Sequence, residues 1–500
     1  MRKQLIIALL LSLIVFGGCE KQLNIKSTFF SDESHALNSV DGMDAGLSTA
    51  YSYVYGLEGL TLTLWSELMA DHLHYVIGAS STKTNYANYY NRDLNAVIGE
   101  QVSATDTRSV NDIILRQLYD GTNTASLIIR GVNTGLANKD LAFATNKNRL
   151  LGEAYFIRAV GYFEMVKLWA KAWNATPDNS HLGLVVDSIP VDDRVSQLKA
   201  RAPVSVVYAF IISDLNRAIS LLPTGYDASI YPAPYNGRTY KDGAIAFLAR
   251  VYFQQQNYVK AKQMIDLVIG STAGSPSKHP LNSDVNAPFA TRGATNQDPE
   301  NILQNTASLN VNSLSTFWYS ANTSVFKVGT TVVSLVSYAS DAFTHDANYL
   351  STDLRLTNWF NLVGGVGGKY IPTKYTKVAQ INIPLIRSAE MILDRAEINA
   401  MANNLQDAIN DCNAIRTRAQ IPLVVAPISQ NDLLAAIRTE RIRELCFEGD
   451  RLWNLKRMEV PIPPGDRVAP NNVPLPWDGA ELVEKYLPAE LSINPLLVNN

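Results

Sequence analysis

Two histidines in the stretch "ADHLHY" (residues 70–75) are the first side chains whose spacing could do chemistry. Together with Glu67 and Asp71, His72 and His74 offer the nitrogen and oxygen ligands that a zinc ion takes in proteins. If this stretch is helical, side chains two positions apart point in different directions, so the two imidazoles cannot meet on one ion. We therefore predict no metal site here, and expect each histidine to be exposed or hydrogen-bonded.

Motifs for covalent catalysis are the next candidates. The stretch "SSTK" (80–83) has the S-x-x-K spacing of penicillin-recognising enzymes, and "SAN" (320–322) matches a second element of that set, but no K-T-G follows. The sequence has no G-x-S-x-G, no H-E-x-x-H and no glycine loop of the kind that holds phosphates. A glycosidase needs only two facing carboxylates, which 46 acidic residues do not exclude, although no motif indicates such a pair. We predict a protein that is not an enzyme and uses no cofactor.

Aromatic residues outside the clearest helices suggest binding instead of catalysis. Flat rings cover the C–H faces of sugars, and amide or charged groups bond their hydroxyls. The three aromatic groups are Trp65 with Tyr86, Tyr89 and Tyr90; Phe317, Trp318 and Tyr319 with Asn322; and Tyr338, Tyr349, Trp359 and Phe360. Because binding residues are concentrated on irregular segments, Tyr89, Tyr90, Trp318 and Tyr319 are the best candidates. The alternative is that each ring packs a loop onto the helices, as large aromatic side chains usually do.

The charged stretch "RTERIRELCFEGDRLWNLKRM" (438–458) is predicted to be structural. On a helix it places Arg438 and Arg441 within a face of aliphatic residues that also carries Cys446 and Trp453. A buried arginine must be paired. The i, i+3 spacing predicts that Arg441 pairs with Glu444 and that Glu448 pairs with Arg451. We interpret the stretch as one helix with ion pairs, not as a nucleic-acid surface or an acid/base pair.

The amino terminus reads as an export signal. A positive start with Arg2 and Lys3 precedes an apolar run from Leu5 to Phe16, which is too short to span a bilayer, and then Gly-Gly-Cys19. The cysteine at the expected cleavage site resembles the lipobox of bacterial lipoproteins, so we predict a signal peptide at 1–18 and a lipidated tether at 19–38. The sequence has 43 basic and 46 acidic residues, and removal of the signal peptide takes away the basic Arg2 and Lys3. The mature chain is therefore more acidic, which argues against nucleic acid as a partner. Only Cys412 and Cys446 then remain, so no disulfide framework is expected.

The rest of the chain, 39–500, is predicted to form one mostly α-helical domain. Helical periodicity dominates about 39–270 and 381–458, and a loop-rich insertion at about 271–380 and an extended tail at 459–500 complete it. Two segments share small and large residues at offsets 0, 3, 12 and 16, as tetratricopeptide helix pairs require. These residues are Ala249, Tyr252, Ala261 and Ile265, and then Ala396, Asn399, Ala408 and Cys412. Asn399 departs from the aromatic residue of the first copy, and Cys412 is predicted to be a small core residue.

Several segments together resemble the SusD/RagB family of outer-membrane nutrient-binding lipoproteins. They are "EAYFIRAVGYFEMVKLW", "DLRLTNWF", "IPLIRSAEMILDRAEINA" with "NAIRTRAQIP", "RTERIRELCFEGDRLWNLKRM" and "KYLPAELSINP", in the family's order after Cys19. The resemblance implies a right-handed superhelical scaffold of tetratricopeptide-like helix pairs and a lipid anchor in the outer membrane. It also implies a partner TonB-dependent transporter to which a bound oligosaccharide is delivered without catalysis. Two alternatives stay open: a peptide-binding member of the family, and a tetratricopeptide scaffold that binds only proteins.

Overall fold

A computed structural model of the chain describes residues 36–75, 84–99, 110–188, 198–226, 237–290, 297–306, 325–328, 331–334, 337–363, 368–375 and 382–500. Cys19, the signal peptide and "SSTK" lie outside the described residues, as does the whole second aromatic group with Trp318, Tyr319 and Asn322. The predictions made for those residues therefore stay predictions.

Helices make up most of the described chain, as predicted. The long ones are α1 (Val40–Gly56), α5 (Val110–Thr134), α6 (Phe143–Trp169), α7 (Val204–Leu221), α8 (Lys241–Gln254), α9 (Tyr258–Ile269), α12 (Ser388–Met401), α13 (Leu405–Arg418) and α14 (Gln430–Glu444). The short ones are α2 (Thr63–Met69), α3 (Thr84–Tyr90), α4 (Leu94–Gly99), α10 (Asp341–Ala347), α11 (Leu354–Trp359), α15 (Arg451–Arg457) and α16 (Pro488–Ile493). Helix α6 is buried along most of its length and packs against α1, α5 and α7. Gly161 permits the close crossing with α5, because a Cβ there would lie 2.5 Å from Cγ2 of Thr122.

The two predicted tetratricopeptide pairs are α8 with α9 and α12 with α13. Their eight pattern residues are all buried, including Asn399 and Cys412. The two turns also match: Gln256 and Asn403, seven residues after the first small residue of each pair, have φ of 57° and 61°. The next residue starts the second helix as its N-cap in both copies, at Asn257 and Asn404. The repeat predicted from spacing is therefore present in backbone geometry as well.

A larger residue at one of the small positions is expected to destabilise the fold. Ala261→Leu adds a branched side chain where two helices cross at a fully buried position, and overpacking of this kind costs about 1–3 kcal/mol. Urea unfolding of Ala261→Leu should show this loss. The same change at the exposed Ala435 of α14 should stay within about 0.5 kcal/mol of the wild type. Equal effects at both positions would contradict the assignment of Ala261 to a close helix crossing.

The structure contains short strands, most of them in the loop-rich segment, that were not predicted from the sequence. The strands are β1 (Leu73–Tyr75), β2 (Asn301–Asn305), β3 (Val325–Val328), β4 (Thr331–Ser334), β5 (Ser337–Ala339), β6 (Phe360–Val363), β7 (Lys369–Pro372) and β8 (Ile383–Arg387). They form antiparallel pairs β1–β5, β2–β8, β3–β4 and β6–β7. Two of these pairs connect the segment to the rest of the chain, since β1 precedes it and β8 leads into α12.

The charged stretch 438–458 is two helices, not the single helix predicted. Helix α14 ends at Glu444, and Phe447 and Gly449 have φ of 60° and 79° before α15 begins at Arg451. The pairs predicted from i, i+3 spacing are wrong. Arg441 and Glu444 share α14, but Glu444 is bound by arginines of other segments, and the break separates Glu448 from the helix that carries Arg451. Arg441 instead pairs with Asp394 and Asp450. Arg451 forms a bidentate ion pair with Asp71, with hydrogen bonds of 2.8 and 2.9 Å. All five predicted residues nevertheless form ion pairs, including Arg438 with Glu397 and Glu448 with Lys374 and Arg387.

The centre of this network is Glu444, which has no exposed surface. Arg418 lies 2.6 Å, Arg387 3.1 Å and Arg355 3.2 Å from its carboxylate oxygens. Arg387 and Arg418 also bind Glu300, at 2.6 and 2.8 Å. These arginines come from "DLRLTNWF", "IPLIRSAE" and "AIRTRAQIP", so segments of the sequence resemblance that are distant in the chain meet at one buried carboxylate.

Candidate functional site

A stacked pair of rings lies where β1 meets β5. The antiparallel register places His74 opposite Tyr338, and the two ring centroids are 4.5 Å apart with an interplanar angle of 13°. Directly opposite residues on one face of an antiparallel pair are close enough for such contact. The pair unites a residue from near the start of the chain with one from the loop-rich segment.

Polar groups surround this stack. The Tyr90 hydroxyl lies 3.3 Å from Nδ1 of His74, and an Asp466 carboxylate oxygen lies 3.9 Å from the same nitrogen. Lys369 places its ammonium group 5.0 Å from the Tyr338 ring centroid and 2.6 Å from the Asp341 carboxylate. The Asp341 backbone N–H in turn donates to Asp466 at 2.7 Å. We call these six residues (His74, Tyr90, Tyr338, Asp341, Lys369 and Asp466) the β1–β5 cluster.

The β1–β5 cluster reaches the surface. Its charged members remain partly open to solvent, with side-chain exposures of 18% for Lys369 and for Asp466 and 69% for Asp341. Burial lowers the pKa of His74, although Asp466 opposes this, and burial raises the pKa of Tyr90 to about 12. At neutral pH the imidazole and the phenol are therefore uncharged hydrogen-bonding groups. Such an arrangement suits a ligand that is held by hydroxyl groups and ring contact.

The structure separates the members of the first predicted aromatic group. Trp65 is 1% and Tyr89 2% exposed. Trp65 stacks on Trp453 with centroids 5.6 Å apart and donates from Nε1 to Glu484 at 2.7 Å. These two rings pack against the protein itself, so the prediction that they contact a ligand receives no support from their placement. Tyr90 lies in the β1–β5 cluster, and the half-buried Tyr86 lies beside it, in edge contact with Tyr75.

The third aromatic group also divides. Tyr338 belongs to the β1–β5 cluster, whereas the half-buried Tyr349 and the buried Trp359 and Phe360 pack against the hydrophobic core. Phe360 contacts Tyr349 and Phe343, and Trp359 is 1% exposed beneath the ammonium group of Lys374 at 3.9 Å. The structure thus joins Tyr90 of the first group with Tyr338 of the third.

His74 lies on strand β1 and His72 directly precedes that strand, so neither is on a helix. The two imidazoles nevertheless have different surroundings. His72 is buried against Phe343 with centroids 4.6 Å apart, and burial lowers its pKa to about 3. His74 instead faces the cluster. Among the residues that the structure describes, no group of three or more His, Cys, Asp or Glu side chains could hold a metal ion.

Sequence reasoning missed Lys369, Asp341 and Asp466 altogether and assigned no binding role to His74. These residues come from distant parts of the chain, and nothing in the local sequence brings them together. The available signal was the position of His74 between the apolar Leu73 and Tyr75, which is an alternation typical of a half-buried strand.

Two family models match separate parts of the chain. The first, described as the SusD family, matches residues 285–479, and the second, described as "Starch-binding associating with outer membrane", matches residues 65–253. Their ranges do not overlap, and each includes part of the β1–β5 cluster: His74 and Tyr90 fall in the second, and the other four residues in the first.

Curated and solved relatives agree with these matches. The chain is 26% identical over 455 residues to SusD-like protein P2 of Formosa agariphila, and this match covers 78% of this chain and 83% of that protein. A SusD superfamily protein from Bacteroides fragilis has a similar structure, with a TM-score of 0.71, 19% identity and coverage of 92% of this chain and 99% of that one. A SusD-like carbohydrate binding protein from Bacteroides vulgatus gives a TM-score of 0.69 at 18% identity, with coverage of 92% and 97%.

The fold and these matches define a class of helical-repeat proteins that bind carbohydrate and associate with the outer membrane. The chain belongs to the SusD/RagB family within that class.

Proposed function

We propose that this protein is a lipid-anchored receptor of the outer membrane that binds a nutrient oligosaccharide and delivers it, unchanged, to a TonB-dependent transporter. The β1–β5 cluster is the proposed ligand site. The observation that carries this assignment is the His74–Tyr338 stack, in which Tyr338 is buried and His74 keeps 23% of its side chain exposed. The partly exposed Lys369, Asp341 and Asp466 lie around it.

The chemistry of the cluster fits a polyhydroxylated ligand. The rings provide a rigid apolar edge, and ammonium, carboxylate and phenol groups can bond hydroxyls in several directions. The relatives support the same class of ligand, since the Bacteroides vulgatus neighbour is described as a carbohydrate binding protein. The anchor and the transporter partner rest on the signal-like start, on Cys19 and on family membership.

Ligand binding can be measured by isothermal titration of the soluble chain that starts after Cys19. The panel consists of plant, host and microbial oligosaccharides together with casein peptides. We expect one oligosaccharide to bind, and we expect His74→Ala and Lys369→Gln each to weaken that binding about tenfold, because each removes one ligand contact worth roughly 1–1.5 kcal/mol. Chromatography of the titrated sample should show no shortened product.

Lys147→Gln provides the matched control, since it removes one exposed lysine of α6 outside the cluster and should leave affinity unchanged. Unaltered binding in both cluster variants would remove the β1–β5 cluster from the ligand site. The predicted ligand residues Trp318, Tyr319 and Asn322 remain proposals, and Trp318→Ala tests them in the same titration.

The same panel separates the two alternatives. Binding of casein peptides but no glycan would assign the protein to a peptide-binding branch of the family. Binding of neither would favour a scaffold that recognises only proteins, for which the helical surfaces and not the β1–β5 cluster would form the interface.

A further inference from the structure

A second candidate site lies between α6 and α15, away from the strands of the β1–β5 cluster. A small cavity there, open toward solvent, has a volume of about 30 Å³. Its walls carry four cationic side chains and aromatic rings. The principal lining residues are Lys167, Lys171, Trp173, Trp453, Lys456 and Arg457.

Lys456 is the unusual member of this group. Its side chain is almost completely buried, with 3% of the residue exposed. Its ammonium group donates to the Leu482 carbonyl at 3.1 Å and lies 5.1 Å from the Trp453 ring centroid. Within the described part of the chain, it has no carboxylate within ion-pair distance. Buried charges in proteins are normally paired, so an ammonium group held only by one carbonyl and one ring is incompletely compensated.

The neighbouring cations are paired differently. Lys167 binds Glu164 at 2.7 Å, and Arg457 binds Glu397 at 2.8 Å. Lys167 also lies 4.9 Å from the Trp453 ring centroid, so two ammonium groups approach the same indole. The pKa of Lys456 is lowered to about 7 by burial first and then by the positive charge of Lys167. Two carboxylates thus balance two of the four cations, and among the described carboxylates none pairs with Lys171 or with Lys456, which is charged when protonated.

We propose that this cavity binds a compact oxyanion, a carboxylate or a sulfate group, between the ammonium groups of Lys456, Lys167 and Lys171. Lysine donates to such a group as a point charge with three hydrogens, and a desolvated position strengthens the contact. Lys171 is half-buried, and with Trp173 it brings the cavity to the surface, so a group attached to a larger molecule can enter. The inference does not depend on the oligosaccharide proposed for the β1–β5 cluster.

Sulfate binding to the soluble chain provides the first test. Sodium sulfate is titrated into the protein, with sodium chloride at matched ionic strength as the comparison. Tryptophan fluorescence and Tm are both recorded, because Trp453 contacts Lys167 and Lys456, two of the lysines proposed to bind sulfate. We expect a saturable fluorescence change and a rise in Tm that chloride does not reproduce. Lys456→Met, which keeps the apolar stem, and Lys171→Gln should each weaken sulfate binding at least tenfold, whereas Lys147→Gln should not.

Lys171→Gln keeps the test decisive if Lys456→Met fails to fold. If Lys456 served only to hold the Leu482 carbonyl, Lys171→Gln would respond to sulfate as the wild type does. This result would overturn the proposal. An equal response to sulfate and chloride in the wild type would also overturn it.

Three further probes identify the source of the oxyanion: sodium acetate, sodium glucuronate and neutral glucose. Glucuronate binding at least tenfold tighter than acetate would support the site and assign it to an acidic sugar. Similar affinities for acetate, glucuronate and sulfate would support a site for free ions. Glucose should not compete with sulfate, and competition by glucose would overturn the requirement for negative charge.

Discussion

Glu444→Gln is expected to lower the free energy of unfolding by about 3–5 kcal/mol at pH 7, which is the cost of removing one partner from a buried ion pair. The substitution preserves shape but removes the negative charge that faces Arg355, Arg387 and Arg418. Arg355 keeps Asp353 and Glu440, and Arg387 keeps Glu448. Arg418 is left with Glu300, which it shares with Arg387. Urea unfolding followed by circular dichroism measures the change.

Arg438→Gln is the matched control for this prediction. It breaks the ion pair with Glu397 at 3.0 Å, but its side chain is 40% exposed, so a loss below about 1 kcal/mol is expected. If Glu444→Gln were no more destabilising than this control, the buried network would not be a main source of stability.

The effect of Glu444→Gln should also depend on pH. Burial alone would raise the pKa of Glu444, but Arg418, Arg387 and Arg355 together hold it well below its usual range. A carboxylate with a depressed pKa contributes its stability above the unfolded pKa and loses it as the pH falls through the folded one. The difference between wild type and variant should therefore be constant near neutral pH and shrink in acid.

The helices were predictable because their information is local. Periodicity over about 39–270 predicted a helical region that contains α6 and α7, and small residues at fixed offsets predicted both tetratricopeptide pairs. The break after Glu444 also had a local signal, because a glycine such as Gly449 in "CFEGD" is typical of a helix end. The helical periodicity of the surrounding residues led us to predict a single helix instead. The partners of the arginines had no such signal, because these long side chains reach elements between 26 and 380 residues away in the chain.

The candidate site was predictable only in its residue types. Aromatic residues of two groups do meet there, but sequence alone could not separate Tyr90, which contacts His74, from Tyr89, which contacts Trp65. Neighbouring positions on a helix face different directions, and the surface that each one meets depends on tertiary packing. Lys369, Asp341 and Asp466 join the site only through the pairing of strands and the course of the tail.

The buried Glu484 should give the protein a stability that declines as the pH rises. Its oxygens accept from Nε1 of Trp65 and from Nδ2 of Asn111, at 2.7 and 2.5 Å, and so connect the carboxyl-terminal tail to α2 and α5. Burial raises the pKa of Glu484 to about 7, although hydrogen bonds from Trp65 and Asn111 oppose this. A group with a raised folded pKa contributes stability that is fully present below its unfolded value of about 4.5 and is lost as the pH passes about 7.

Glu484→Gln keeps an uncharged side chain at every pH, and should therefore flatten this decline. The pKa difference corresponds to roughly 3 kcal/mol, so the variant should gain about that much relative to the wild type between pH 4.5 and pH 8.5. Urea unfolding at five pH values measures the gain. A residual slope is expected from Glu67, whose pKa burial raises to about 8. Glu481→Gln, at an exposed position of the same tail, should follow the wild type, and parallel curves for wild type and Glu484→Gln would show that Glu484 stays ionised in the fold.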